Sequence, residues 1–134
     1  GPLVEAGVEV AVPRALAASL TELWSPRVIA ELEDSYVKVA KVHGTFGWHA
    51  HPDEDELFLV LAGHLRIELE GSAVELDEGQ LFVVPKGVRH YPVAAQECLV
   101  MLIERKSTAH SGDTITDKTR SLEDQLRPLG YPRP

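Results

Sequence analysis

The residues with the most chemistry lie in the stretch 49–63, HAHPDEDELFLVLAG. His49 and His51 stand two apart in a run, FGWHAH, that reads as a strand. A period of two puts both imidazoles on one face, where they can grip a single ion, and turns Trp48 and Ala50 the other way. Pro52 and the acidic run Asp53-Glu54-Asp55 make a solvated turn. Glu56 opens the next strand and shares its parity with Phe58, Val60 and Ala62. Facing inward, it would stand in an apolar cavity whose substrate-binding walls include Phe58 and Val60. A carboxylate in such surroundings is costly unless it is paired or bound to a cation. A third imidazole, His90, follows in GQLFVVPKGVRHYPV, on the strand that returns from the turn Pro85-Lys86-Gly87. Three neutral imidazoles and one carboxylate form a mixed nitrogen and oxygen site for one divalent transition metal ion, be it Fe, Mn, Ni, Co, Cu or Zn. Six-fold coordination would leave two positions for water or substrate. Asp55 is the alternative carboxylate ligand; the parity of Glu56 with the apolar run favours Glu56.

The elements that must position these groups are short strands. Between Val28 and Ile103, β-rich runs such as YVKVAKV, ELFLVLA, HLRIELE, QLFVVP and CLVMLIE recur between Gly, Pro and Asp signals. No crossover helices separate them, which excludes a parallel α/β sheet and leaves an all-β antiparallel sandwich or barrel. With 134 residues the chain suits one domain, with a barrel core over about 28–104. A short helix precedes it, opened by Pro13 with Leu16, Leu20 and Leu23 on one side and stopped at Ser25-Pro26. A polar tail, 105–134, follows. In the tail Ser121 and Asp124 form a capping box for a short helix that carries Leu122, Leu126 and Leu129 and ends at Pro128. Tyr131–Pro134 are expected to trail free of the domain.

Hydrophobic residues make up 44% and charged residues 25%, the mix of an ordinary globular protein. The net charge of -8 argues against nucleic acid or an anionic membrane as partner, because both need a basic footprint. Cys98 is the single cysteine, so no internal disulfide forms. No apolar run approaches the roughly 20 residues that span a bilayer, and the N-terminus lacks a basic-then-apolar signal pattern. The expected location is the cytoplasm. The runs LFLVLA, LFVV and CLVMLI are apolar at both parities, so the outer face of the barrel needs a cover. A homodimer is the first expectation; covering by the N-terminal helix and the tail is the alternative.

Other residues carry weaker signals. Lys38 and Lys41 fall on opposite faces of one strand, and Lys38 is the candidate for a charged substrate contact. His43 reads as a surface or core residue, His64 as exposed, and His110 as a tail residue, with a lid residue touching the site as its alternative. Cys98 reads as core, and Trp24, Phe46 and Trp48 as packing anchors. Arg66, Lys86 and Arg89 face outward or lie in turns, so no phosphate clamp is expected.

On these residues the chain resembles the cupin superfamily. Gly44, His49, His51, Glu56 and Gly63 match its first motif, with one residue fewer than usual between Gly44 and His49. Gly79, Pro85, Gly87 and His90 match its second motif; the Asn usually found four residues after that His is Ala94 here. The wider chain resembles small stand-alone cupins often labelled mannose-6-phosphate isomerase-like. The resemblance implies a double-stranded β-helix, or jelly roll, of six to eight strands, usually dimeric, with the metal inside its mouth. Together, residues and resemblance lead to the expectation of a metal-dependent enzyme acting on a small organic substrate. Dioxygenase-type chemistry comes first, with isomerase or lyase chemistry possible. Glu56 would act as general base, its pKa raised by the apolar pocket. The alternative is a non-catalytic module that binds a small molecule or metal and serves a biosynthetic partner.

Overall fold

Runs of β-branched and aromatic residues broken by Gly, Pro and Asp turns pair into one antiparallel sheet that coils on itself as a jelly roll. The computed structural model describes residues 10–129. The expectation for Tyr131–Pro134 therefore falls outside it. The elements in order are helix α1 (Pro13–Ala18), strands β1 (Arg27–Leu32), β2 (Ser35–Thr45), β3 (Glu56–Ala62), β4 (His64–Leu69), β5 (Ser72–Asp77), β6 (Leu81–Val84) and β7 (His90–Arg105), and helix α2 (Leu122–Gln125). The main path through the sheet runs β1-β2-β7-β3-β6, and the hairpin β4-β5 joins it through β4 against the first half of β7. Two runs expected as separate strands, VRHYPV and CLVMLIE, are thus one long strand that pairs with β2, β3 and β4.

Even-numbered residues of β2, β3 and β7 face the barrel interior. Ala40, Val42, Phe58, Val60, Val100 and Leu102 meet Leu65 and Ile67 of β4 there. Burial of this kind contributes about 25 cal/mol per Å2 of apolar surface removed from water. A second, smaller core lies outside the barrel, where Leu16, Ala17 and Leu20 cover Ile29, Val39 and Leu99. The N-terminal segment is therefore a cover, reaching β1, β2, the Leu99–Met101 part of β7 and the Leu61–Ala62 end of β3. On the outer face of β6, Leu81 and Val83 remain exposed.

The helices are shorter than their apolar spacing predicts. Helix α1 ends at Ala18, where the Ser19 Oγ donates to the Leu16 carbonyl, and Leu23 is exposed on a bridge to Lys41. Helix α2 has the expected cap, with the Asp124 amide donating to Ser121 Oγ, but its buried residue is Gln125, and Leu122 is exposed. A single helical turn is anchored by one contact, and here a polar contact inside the barrel provides it. Among the described residues no helix is long and apolar enough to cross a membrane.

Candidate metal centre

FGWHAH is not a strand. The ladder between β2 and β7 runs regularly to the pair Thr45–Val93, after which Phe46 still donates to the Pro92 carbonyl. Regular continuation would set Trp48 opposite His90 and point it inward. Instead His49 is bonded to His90 through both backbone amides, at 3.0 and 2.9 Å. One extra residue has entered, at Gly47, whose φ of +110° is a region that favours glycine. A one-residue slip exchanges the faces of a strand. It turns His49 into the barrel and leaves Trp48 outside, against Tyr91. His51 is then set by Gly87, whose amide donates to the His51 carbonyl, and by the tail, which bonds Ala50.

His49, His51, Glu56 and His90 converge, with one potential ligand atom from each lying within 4.8 Å of all the others. An ion with ligand distances of about 2.1 Å spaces its donors by at most about 4.2 Å. A pair at the full 4.8 Å would have to close by about 0.6 Å or more to seat one. The rings are prepared for it. His49 Nδ1–H donates to the Gly47 carbonyl and His90 Nδ1–H to the Val88 carbonyl, each two residues upstream. Both Nε2 lone pairs are thereby left free, the orientation that a buried carbonyl partner imposes on metal-binding histidines. His90 Nε2 is buried with no hydrogen bond and lies 3.3 Å from Glu56 Oε1; His51 Nε2 lies 3.2 Å from the same oxygen. The donor set, its burial and this orphaned nitrogen fit a divalent transition metal.

The electrostatics agree in one respect and correct the sequence reading in another. Burial, helped by the neighbouring His90, pulls the His49 pKa down to about 4, so its ring is neutral and able to ligate at pH 7. Burial alone would raise the pKa of Glu56, as the apolar run suggests. The hydrogen bonds from His51 Nε2 and from the neighbouring Glu104 carboxyl outweigh it and hold the carboxyl well below the usual range. A carboxylate already ionised is a ready ligand and a weak base. Asp55, the alternative ligand, is exposed and accepts the Lys86 amide at 2.8 Å.

A small cavity of about 40 Å3 adjoins the cluster and opens toward solvent. Phe58 lines it as expected, together with Trp24, Phe46 and Leu102. Trp24 and Phe46 are thus both core and wall. Val60 is wholly buried in the core and is not among the lining residues. Lys38 does point inward, but its Nζ is held 2.7 Å from Glu104 Oε1 and 2.6 Å from Gln125 Oε1. Of two further polar lining residues, sequence reasoning missed one and held the other only as a lesser reading. Glu104 is 5% exposed and sits directly across the ladder from Glu56. Its inward parity, even-numbered like Cys98, Val100 and Leu102, was the available signal. His110 lines the cavity from the tail, 5.0 Å from the Phe46 ring, and its Nδ1 accepts the Arg120 amide. The lid position, the lesser of its two sequence readings, is the one it takes.

Residues 35–104 match the cupin domain family, Cupin_2. The chain belongs to the cupins. A cupin-2 domain protein of Shewanella frigidimarina has a similar crystal structure at 45% identity, with a TM-score of 0.65, covering 66% of this chain and 87% of that one. A structure from Neisseria meningitidis aligns at 27% identity, with a TM-score of 0.67, covering 73% of this cupin and all of that chain. An uncharacterised Bacillus subtilis protein, YdbB, is 32% identical over 93 residues, 69% of this cupin and 82% of its own length. The jelly-roll fold and the position of the candidate metal cluster inside it are those of a small cupin.

Proposed function

We propose that this cupin is a metal-dependent enzyme that acts on a small, oxygen-bearing organic molecule, with dioxygenase-type chemistry as the first assignment. The observation that carries the reading is the convergence of three buried imidazoles and one carboxylate beside an apolar cavity. His49, His51, Glu56 and His90 would hold one divalent ion, which supplies Lewis acidity and open coordination positions for an oxygen of the substrate or for O2. The chain's own residues supply the rest. The Gly47 and Val88 carbonyls fix the ring tautomers of His49 and His90. Trp24, Phe46 and Phe58 exclude water and pack the organic body. Glu56, freed from the cluster, is the nearest carboxylate able to accept a proton at its Oε1.

The test is reconstitution with Fe(II), Mn(II), Ni(II), Co(II), Cu(II) or Zn(II), followed by oxygen-uptake and product measurements on catechols, diketones and flavonols. Turnover that disappears in a His49→Ala, His51→Ala variant supports the enzyme. A protein that binds one ion per chain and consumes nothing across the panel is instead a non-catalytic binding module. We also infer a homodimer through the outer face of β3 and β6, because Leu81 and Val83 are 56% and 41% exposed there. Light scattering should return twice the chain mass; the mass of one chain would refute it.

A further inference from the structure

The side chains that line the cavity carry few hydrogen-bond donors, and all but one are spent. Trp24 Nε1–H donates to the His43 carbonyl, and the ring proton of His49 goes to the Gly47 carbonyl. The carboxyl of Glu104 meets Lys38 and the neighbouring Glu56. His110 is the remaining polar residue of the wall. Its Nδ1 lies 2.7 Å from the Arg120 amide nitrogen. A backbone N–H can only donate, so Nδ1 is the acceptor and the ring proton sits on Nε2. That Nε2–H has no hydrogen-bond partner among the described residues. The ring is nevertheless held firmly. The Arg120 carbonyl accepts Gln125 Nε2–H at 3.1 Å, Gln125 Oε1 accepts Lys38 Nζ–H at 2.6 Å, and Ser111 Oγ and Thr119 Oγ1 close the same loop at 2.6 Å. On its other side the ring packs against Phe46, which touches His49 in turn. The cavity exceeds the roughly 10–15 Å3 that one water needs, so it has room for one small polar group, with an apolar body in its mouth. No Lys or Arg is among the residues that line it. A lone neutral donor among aromatic walls suits a neutral acceptor, because an anionic group placed away from the metal would find no counter-charge there.

We propose that His110 is a ligand-binding residue whose Nε2–H donates a hydrogen bond to the carbonyl oxygen of a small, uncharged, mainly apolar molecule. The inference rests on the proposed small-molecule site and names the functional group that it recognises. Sugar phosphates and other polyanions are outside that class.

Acetophenone and α-methylstyrene share one shape, the carbonyl of the first standing where the second has C=CH2. Their affinities for the metal-free full chain are measured by ligand-observed NMR titration, on the wild type and on His110→Phe, which keeps a ring but has no N–H. The ratio of ketone to alkene affinity should fall roughly fivefold in the variant, the worth of one net hydrogen bond. His110→Gln restores an N–H donor and should recover part of the ratio. In wild type labelled with 15N-histidine, the His110 Nε2–H proton should move downfield on addition of acetophenone and not of α-methylstyrene, a reading that stands should the variants fail to fold. An unchanged ratio, no binding of acetophenone, or a ring proton found on Nδ1 overturns the proposal. Zinc uptake by the wild type is measured separately. A chain that takes up no zinc yet shows the fall in ratio defeats the metal site and leaves this assignment standing.

Discussion

The two halves of the candidate metal centre are built differently. His90 and the carboxylates Glu56 and Glu104 stand on regular strands, where parity alone aims them inward. His49 and His51 stand on an irregular segment aimed by particular bonds: the glycine at 47, the paired amides of His49 and His90, and the tail. The tail's part is a two-way clasp. Asp113 N donates to the Ala50 carbonyl at 2.9 Å, and Ala50 N donates to Asp113 Oδ1 at 3.1 Å. Lys118 Nζ adds a bond to the Thr45 carbonyl. The sheet side is stabilised by the whole core, while the segment side depends on a few local contacts. Perturbation of the segment should therefore alter metal affinity at little cost to the fold, and this expectation can be tested in four steps.

The largest effect belongs to the ligands themselves. His49→Ala with His51→Ala should lower metal affinity by well over the roughly hundredfold upper range seen for supporting residues, while circular dichroism still reports a folded barrel. Retention of one ion per chain would show that the two rings are not ligands. The next largest belongs to the register shift. Gly47→Val forces a β-branched residue to φ +110°, a strain of about 1–3 kcal/mol. The variant should unfold at lower denaturant and bind metal more weakly. Gln96→Ala, exposed on β7, should stay within about 0.5 kcal/mol of the wild type. If the two substitutions behave alike, the contrast between segment and sheet is wrong.

The third step uses pH. Burial, with Lys38 nearby, depresses the His110 pKa to about 3 from its ordinary 6.5. Between those values the unfolded chain takes up a proton that the folded one refuses. The stabilising contribution is therefore complete above pH 6.5 and is lost as pH falls toward 3. His110→Phe should flatten the stability-pH curve of the metal-free protein there by up to one proton, about 1.4 kcal/mol per pH unit. An identical slope in the variant would mean that the tail does not bury this ring in solution. The smallest effect belongs to the clasp. Asp113→Ala should cost about 1 kcal/mol in denaturant unfolding, the net worth of one hydrogen bond, and weaken metal binding more than that cost alone suggests.

The same contrast explains what could be read in the chain. The strand-borne half was legible, because period two is a property of any strand: Glu56 and Phe58 face inward as their parity requires, and Asp55 does not. The jelly roll was legible from turn signals and the two motifs. His49 and His51 were identified for their types and spacing, but the strand assigned to them does not exist. A one-residue slip at Gly47 has no periodic signature, and it is what brings His49 inward. Glu104 carried the right parity but stood next to Arg105 at the start of a polar tail, and its burial is made possible by Lys38 on β2 and Gln125 on α2, 66 and 21 positions away from it in opposite directions along the chain. His110 and Asp113 reach the site only because the tail folds back over Ala50. Contacts between such distant positions leave no local pattern to read.

The central claim is that the four side chains hold one cation. The direct measurement is an anomalous-difference map from crystals of the chain loaded with Mn(II) or Zn(II), collected at the absorption edge. The account predicts one strong peak per chain at bonding distance from His49, His51, Glu56 and His90. A protein that takes up no ion, or a peak coordinated elsewhere with those nitrogens still turned to Glu56, would contradict it.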